Sequence, residues 1–362
     1  TEIYTLSLHD ALPIYRRMKY DSIWVAAPGE LSVVTKELAE PKLDEVVVCV
    51  RACGVCGTDL HFYHDQPTGT LTPLGHEVAG TIHAVGIGVR GLKIGMDVVV
   101  QNHVPCGRCD ACLNQRPDAC LDIQTYMNDQ GGMGSYLVVP QAMVVPFSSL
   151  SYVEATLAEP VTVALDLCRE AQVRLHDDVL VMGPGTIGLA CVALVKAQGA
   201  RRVVVVGHGL KSVRGRYRSA VARRLGADAV FDSSEADWKV AVRTAYPKGF
   251  DRVIVTSPPQ TIVDGIGLAG FRGWIVYDGI SFTDDEIRFH ANDFHFAKKR
   301  LIASHAIPNW GFPMALDLLK DKTIPPDALL THIYPLEELS VALQLYGSTE
   351  AEIIKPVVRI GG

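Results

Sequence analysis

The sequence predicts an α/β protein in two parts, a β-rich domain followed by a doubly wound parallel sheet flanked by helices. Two observations carry this. From Tyr20 to about Val145, short apolar runs such as Glu45–Val50 and Asp97–Val100 are broken about every eight to twelve residues by Gly, Pro or Asp, as in a compact barrel-like domain. From about Val161 the text changes to strands alternating with helices, the pattern that builds a parallel sheet. A chain of 362 residues is long enough for two such domains, each with a core of ordinary size.

Composition excludes several classes of partner. The chain is 48% hydrophobic, 20% charged and 7% aromatic, with a formal net charge of −6 and both signs interspersed. Nothing there attracts nucleic acid or an anionic membrane. The longest apolar run, Val179 to Val195, is interrupted by Gly183-Pro-Gly185 and is not a membrane span. Four of the nine cysteines fall within fifteen residues, a spacing that speaks for metal thiolates in a reducing, cytoplasmic compartment rather than for disulfides.

Residues 1–17 are assigned no function. Thr1 to Ile14 has neither the charged start nor the continuous apolar stretch of a signal peptide. It back-translates without a mismatch to an adapter oligonucleotide of a common short-read sequencing method. The expectation is a non-native extension, with the natural chain starting near Met18.

In the first domain, Cys53-Gly-Val-Cys56-Gly-Thr58-Asp59-Leu-His61 is followed by Gly75-His76-Glu77. Cysteine, histidine and glutamate are zinc ligand types, and a catalytic zinc takes three protein ligands and leaves one position open. His76 and Glu77 are adjacent and would point to opposite faces of an ideal strand, so both can reach one ion only if the backbone bends. Downstream, Cys106, Cys109, Cys112 and Cys120 have the spacing of a closed four-thiolate zinc shell, which is structural; the lobe is placed at 103–121.

In the second domain, Asp178–Met182 reads as a buried strand, and Gly183-Pro-Gly185-Thr186-Ile187-Gly188 follows at once. Leu189 to Ala197 reads as a helix ended by Gly199, and Arg202–Val206 as the next strand. A G-x-G-x-x-G between a strand and a helix is a dinucleotide-binding turn, with the pyrophosphate at the helix N-terminus. The acidic residue that would hold a ribose diol is replaced by Gly207, followed by His208, Lys211, Arg214, Arg216 and Arg218. This cationic loop favours NADP over NAD. Asp251–Val255, Gly273–Tyr277 and an amphipathic Gly311–Lys320 continue the alternation. The predicted boundaries are 18–160 for the first domain, 161–298 for the second, and a return to the first over 299–362.

With these residues quoted, the chain from about Met18 to Gly362 resembles the zinc-dependent medium-chain alcohol and polyol dehydrogenases. Four motifs carry the resemblance: Gly-Val-Cys-Gly-Thr-Asp at 54–59, Gly-His-Glu-x-x-Gly-x5-Gly at 75–86, the four-cysteine lobe and the Gly-rich turn, all in family order. It implies a GroES-like catalytic domain interrupted by a Rossmann cofactor domain, with the active site in the cleft between them. It also implies that Cys56 and His76 bind a catalytic zinc, while Cys53 is a buried small side chain. Ala158-Glu159-Pro160 departs from the cysteine that alcohol dehydrogenases use as a third ligand and looks like the sorbitol, threonine and butanediol dehydrogenase branch. Glu77 and Glu159 are both candidates for that third position.

The chemistry implied is hydride transfer between a secondary alcohol or polyol and a nicotinamide cofactor, with the proton leaving through Thr58, the cofactor ribose and His61. Asp59 is expected to orient a ligating histidine. Two alternatives remain at this level: an NADPH-dependent aldehyde or ketone reductase using the same residues, and a non-catalytic protein that binds zinc and dinucleotide. The resemblance further suggests a homodimer or homotetramer.

Overall fold

The computed structural model describes residues 18–65, 70–281 and 284–361. The expected extension at 1–17 lies outside the described residues.

The β-rich half is built on one mixed sheet. Its order is Val144–Pro146, Asp97–Val100, Glu77–Val85, Glu45–Gly54, Lys355–Arg359 and Leu330–Pro335, with Tyr136–Pro140 also pairing on Glu45–Gly54. A smaller sheet places Lys19–Ala27 between Glu30–Glu37 and Thr72–Pro73. The strand Glu45–Gly54 shows the alternation its sequence requires. Val46, Val48 and Val50 enter the main core with Met133 and Leu137, whereas Val47 turns to the opposite side with Tyr20 and Leu38. The register then slips between Val50 and Ala52. This irregularity changes the phase, so that Cys53 rather than Ala52 rejoins the main core. Cys53 is fully buried, as a small apolar side chain would be.

The second half is an all-parallel sheet in the order Ala229–Asp232, Arg202–Gly207, Asp178–Met182, Phe250–Val255, Ala269–Tyr277 and Arg300–Ala303. Both faces are covered, which is why its strands are continuous apolar runs. Val179, Val181, Val203 and Val205 pack beneath the helices Ala158–Ala171, Thr186–Ala197 and Phe312–Lys320. Leu180, Met182, Val204 and Val206 face Trp238, Val242 and Ile262 on the other side.

The sheet extends past the expected boundary at 298. Arg300–Ala303 pairs with Ala269–Tyr277 as the sixth strand, and the helix Phe312–Lys320 lies on Ala158–Ala171. The chain rejoins the first sheet only with Leu330–Pro335. The edge strand has only four residues and follows Lys298 and Lys299, so it lacks the long apolar run that marks the central strands. Among the described residues, no helix is long and apolar enough to cross a membrane.

One ion-pair cluster ties the start of the parallel sheet together. Asp178 accepts from Arg201 Nε and Nη2 (2.9 and 2.6 Å) and from Arg202 Nε and Nη2 (3.0 and 2.7 Å). Burial works to raise its pKa, but the two guanidinium groups hold it below the ordinary carboxylate value. A depressed carboxyl contributes stability above its unfolded pKa and loses it as pH falls through the folded value. Asp178→Asn is therefore expected to cost about 1–2 kcal/mol near neutral pH, the arginines being half-exposed. Urea unfolding should show the difference between the two proteins shrinking below about pH 4.

Candidate active site

The segment after the register slip delivers Cys56 to the start of the helix Gly57–Asp65. His76 comes from a different place. It sits just before the strand Glu77–Val85, preceded by Gly75 at φ +89°. That left-handed turn supplies the bend that an ideal strand would not. Cys56, His76 and Glu77 consequently each present a ligand atom within 4.8 Å of one another.

Asp59 joins the two arms. Its Oδ2 accepts from the backbone N–H of Cys56 (2.9 Å) and its Oδ1 from that of Gly75 (2.9 Å). The expectation that Asp59 orients a histidine ring is thus corrected: it grips the backbone of the ligand-bearing loops, and His76 Nδ1 is buried with no hydrogen-bond partner among the described residues.

Glu77 pairs in register with Gly54, and a Cβ there would overlap Glu77 Oε2, so only glycine leaves room for this carboxylate. Oε1 accepts from Lys355 Nζ at 2.5 Å, both side chains being almost completely buried, and the amine also donates to Val55 O (2.9 Å). Burial opposes the Lys355 charge, but Glu77 and its neighbours hold the amine above the ordinary lysine value. Glu77 Oε2 has no hydrogen-bond partner among the described residues.

Glu159 stands in the first turn of Ala158–Ala171, buried, and its Oε1 accepts from Asn102 Nδ2 at 3.3 Å. It lies outside the three-residue group formed by Cys56, His76 and Glu77. Burial pushes its pKa up to about 7, with Glu77 adding and His76, Lys355 and Asn102 opposing. Burial works to lower the His76 pKa, yet Cys56, Asp59 and Glu159 around it raise it well above the ordinary value. Unpartnered buried Nδ1 and Oε2 atoms beside a thiol, in a surround this acidic, suit a bound cation, and the donor set suits zinc.

Thr58 Oγ1 lies 3.8 Å from Cys56 Sγ. His61 is one turn further along the same helix, with Nδ1 2.9 Å from Asp65 Oδ2. In the lobe, the sulfur separations are 3.5 Å (Cys109–Cys112), 3.8 Å (Cys109–Cys120) and 4.0 Å (Cys106–Cys112). Tetrahedral zinc with Zn–S of about 2.3 Å sets sulfurs roughly 3.8 Å apart. The four thiols fit that shell and form no disulfide.

The dinucleotide turn has the required form. Gly183 adopts φ +103°, and a Cβ on Gly188 would overlap Gly183 O. A Cβ on Gly185 would meet nothing within 4 Å, which leaves the backbone open to a phosphate ahead of the helix Thr186–Ala197. Ile187 is partly buried against the core, and Thr186 Oγ1 donates to Ile354 O (3.3 Å), linking the turn to the catalytic half.

The cations proposed for a 2′-phosphate are differently disposed. Arg214 Nη1 donates to the carbonyls of Tyr346 (3.3 Å) and Gly347 (3.5 Å), and Arg218 Nε to Ile353 O (3.0 Å). Both strap the helix Val213–Arg224 to the C-terminal segment. Lys211 forms an exposed pair with Glu235 (2.5 Å), and His208 Nδ1 is 3.3 Å from Ser233 Oγ. Side chains at Gly207 are excluded by Leu210 and Pro184. The neighbouring Asp232 spends its oxygens on the N–H groups of Gly209 (3.0 Å), Leu210 (2.8 Å) and Ser234 (2.9 Å).

Sequence reasoning missed Lys355 and Asn102. The only trace of Lys355 is a lysine inside the apolar run Ile353 to Ile360. Asn102 left none, since its role depends on Glu159 across 57 residues.

Comparison with known proteins agrees with this geometry. Residues 42–149 match the alcohol dehydrogenase GroES-like domain and residues 186–321 the zinc-binding dehydrogenase domain. The chain is 28% identical to L-galactonate-5-dehydrogenase of Escherichia coli (strain K12), covering 91% of this chain and 96% of that protein. It is also 28% identical to sorbitol dehydrogenase of Bacillus subtilis (strain 168), over 91% and 94% of the two chains. Among solved structures, the alcohol dehydrogenase RspB of E. coli CFT073, complexed with NADH, superposes with a TM-score of 0.84 at 27% identity, covering 94% of this chain and 99% of that one. Two fused domains in this order, with both cysteine groups and the Gly-rich turn in place, place the chain in the family of zinc-dependent medium-chain alcohol and polyol dehydrogenases.

Proposed function

We propose that this enzyme oxidises a secondary alcohol or polyol and that Cys56, His76 and Glu77 would hold a zinc ion at its active site, with Glu159 the other candidate ligand. The observation that carries this is the convergence of three ligand atoms within 4.8 Å, with His76 Nδ1 and Glu77 Oε2 buried and unpartnered among the described residues. Cys106, Cys109, Cys112 and Cys120 would hold a second, structural zinc, and a thiol-rich lobe without disulfides supports a reducing, cytoplasmic setting.

When bound, zinc supplies the Lewis acidity that lowers a substrate hydroxyl's pKa, and nicotinamide supplies the hydride acceptor. Lys355 neutralises Glu77 through Oε1 and leaves Oε2 without a hydrogen-bond partner among the described residues. Thr58 Oγ1, beside Cys56, can accept a proton from a substrate hydroxyl and donate its own onward. His61 Nδ1, 2.9 Å from Asp65 Oδ2, stands at the outer end of this path.

The cofactor we infer is NADP rather than NAD. The second strand ends at Gly207 with no carboxylate of its own, and the neighbouring Asp232 is engaged with backbone N–H groups. Lys211 is paired with Glu235 at the surface, where solvent screens the pair and it yields readily to a phosphate. Arg214 is withdrawn from this role by the carbonyls of Tyr346 and Gly347.

Zinc-loaded protein, assayed by nicotinamide absorbance with a panel of secondary alcohols, polyols and sugar acids, should reduce NADP faster than NAD. Cofactor binding without reduction by any of these substrates would defeat the enzyme reading. Faster reduction of NAD would defeat the cofactor reading alone.

A further inference from the structure

One carboxylate in the cofactor half takes no part in the steps above. Asp278 directly follows the strand Ala269–Tyr277, at the carboxyl end of the parallel sheet. Its N–H donates to Val255 O (3.2 Å), and the N–H of Ser304 donates to Tyr277 O (2.8 Å). The segment is thereby fixed between the ends of its two neighbouring strands.

A sheet of this order binds a dinucleotide outside its carboxyl ends, across the point where the strand order reverses. That point lies between Asp178–Met182 and Phe250–Val255. The phosphates belong at Gly183–Gly188 and the adenosine end toward Gly207. The nicotinamide end must then run the other way, over Phe250–Val255 and Ala269–Tyr277. This is also the direction of the metal group, since the helix carrying Glu159 packs on those two strands. Asp278 interacts electrostatically with Cys191, one turn along from Ile187 in the helix that the phosphate turn opens.

Asp278 Oδ2 is closed off from solvent and accepts no hydrogen bond among the described residues. Asp166, the other carboxylate acting on it, is satisfied by contrast: it accepts from Arg169 Nη2 (2.8 Å), Ser304 Oγ (2.7 Å) and Trp310 Nε1 (2.8 Å). Arg169 is further shared with Glu170 (3.2 Å), so it is not a counter-ion for Asp278. Burial, with Asp166 adding, pushes the Asp278 pKa up to about 6, which leaves it mainly ionised near pH 8.

An oxidised nicotinamide ring is a cation and a reduced one is neutral. We propose that Asp278 places an uncompensated negative charge beside the nicotinamide and raises this protein's affinity for the oxidised cofactor relative to the reduced one. The consequence in turnover is that oxidised cofactor competes better with the reduced cofactor left after alcohol oxidation. This rests on the nicotinamide reading of the preceding section. A unit charge about 12 Å away, at an effective dielectric of about 20, is already enough for a roughly tenfold effect.

The test is equilibrium titration of zinc-loaded protein with both redox forms of NAD and NADP near pH 8. Asp278→Asn is expected to weaken the oxidised form about tenfold while leaving the reduced form within about twofold. Asp278→Ser should do the same, so either folded variant decides the matter. Equal weakening of both forms would mean a hydrogen-bonding or packing role and would overturn the proposal, as would no change. Loss of folding in both variants would make the carboxylate structural and overturn it too. If the parent protein binds neither cofactor, the dinucleotide reading itself falls, and this inference with it.

Discussion

Cys56→Ser is expected to cut turnover by more than about a hundredfold while the fold stays intact. Disturbing an outer partner of a metal ligand already costs 10–100-fold in such sites, and here a ligand itself is exchanged for a far weaker one. Serine is nearly isosteric, and the Cys56 N–H contact to Asp59 does not involve the side chain, so the two ligand arms remain joined. Metal analysis should show one of two zinc equivalents lost, because the four-cysteine lobe is a separate group. Near-parental activity with both zincs retained would remove Cys56 from the metal set.

The second large effect is on stability. Lys355→Met leaves Glu77 in the interior without its ammonium partner and Val55 O without its donor. Removing one partner of a buried pair costs about 3–5 kcal/mol, well above what the same change costs at a surface. Lys355→Arg should recover part of this, since it keeps the charge. Denaturant unfolding of the zinc-loaded proteins measures both. A loss below about 1 kcal/mol for Lys355→Met would mean that the pair does not hold the site in shape.

What the sequence discloses here is what spacing can encode. The lobe cysteines, the Gly183–Gly188 turn and the apolar run Glu45–Val50 are local patterns, and they fold as a thiol cluster, a tight turn and a strand. The meeting of Cys56, His76 and Glu77 is half legible: the residue types are plain, but the bend at Gly75 that lets neighbours share one ion is a backbone property. Lys355 is illegible, because its meaning lies in a partner 278 residues away. The cationic loop misleads in a related way. Arg214 and Arg218 have the right charge for a phosphate, but carbonyls from Tyr346 to Ile353 occupy them, and composition does not disclose which acceptor a guanidinium meets. The edge strand Arg300–Ala303 escapes notice for want of length.

The straps and the buried pair share a consequence for the order in which the molecule is made. The parallel sheet is continuous in the chain from Asp178 to Ala303, so it can assemble while later residues are still being synthesised. The sheet that carries the metal ligands cannot do so. Its strand Glu45–Gly54 waits for Lys355–Arg359, and Glu77 waits for its lysine. Pairings of such sequence separation are slow to form. During that interval the thiols and carboxylates of the first half are present without their closing strand, and the nascent chain is most exposed to mismetallation and to pairing with the open edge of another copy.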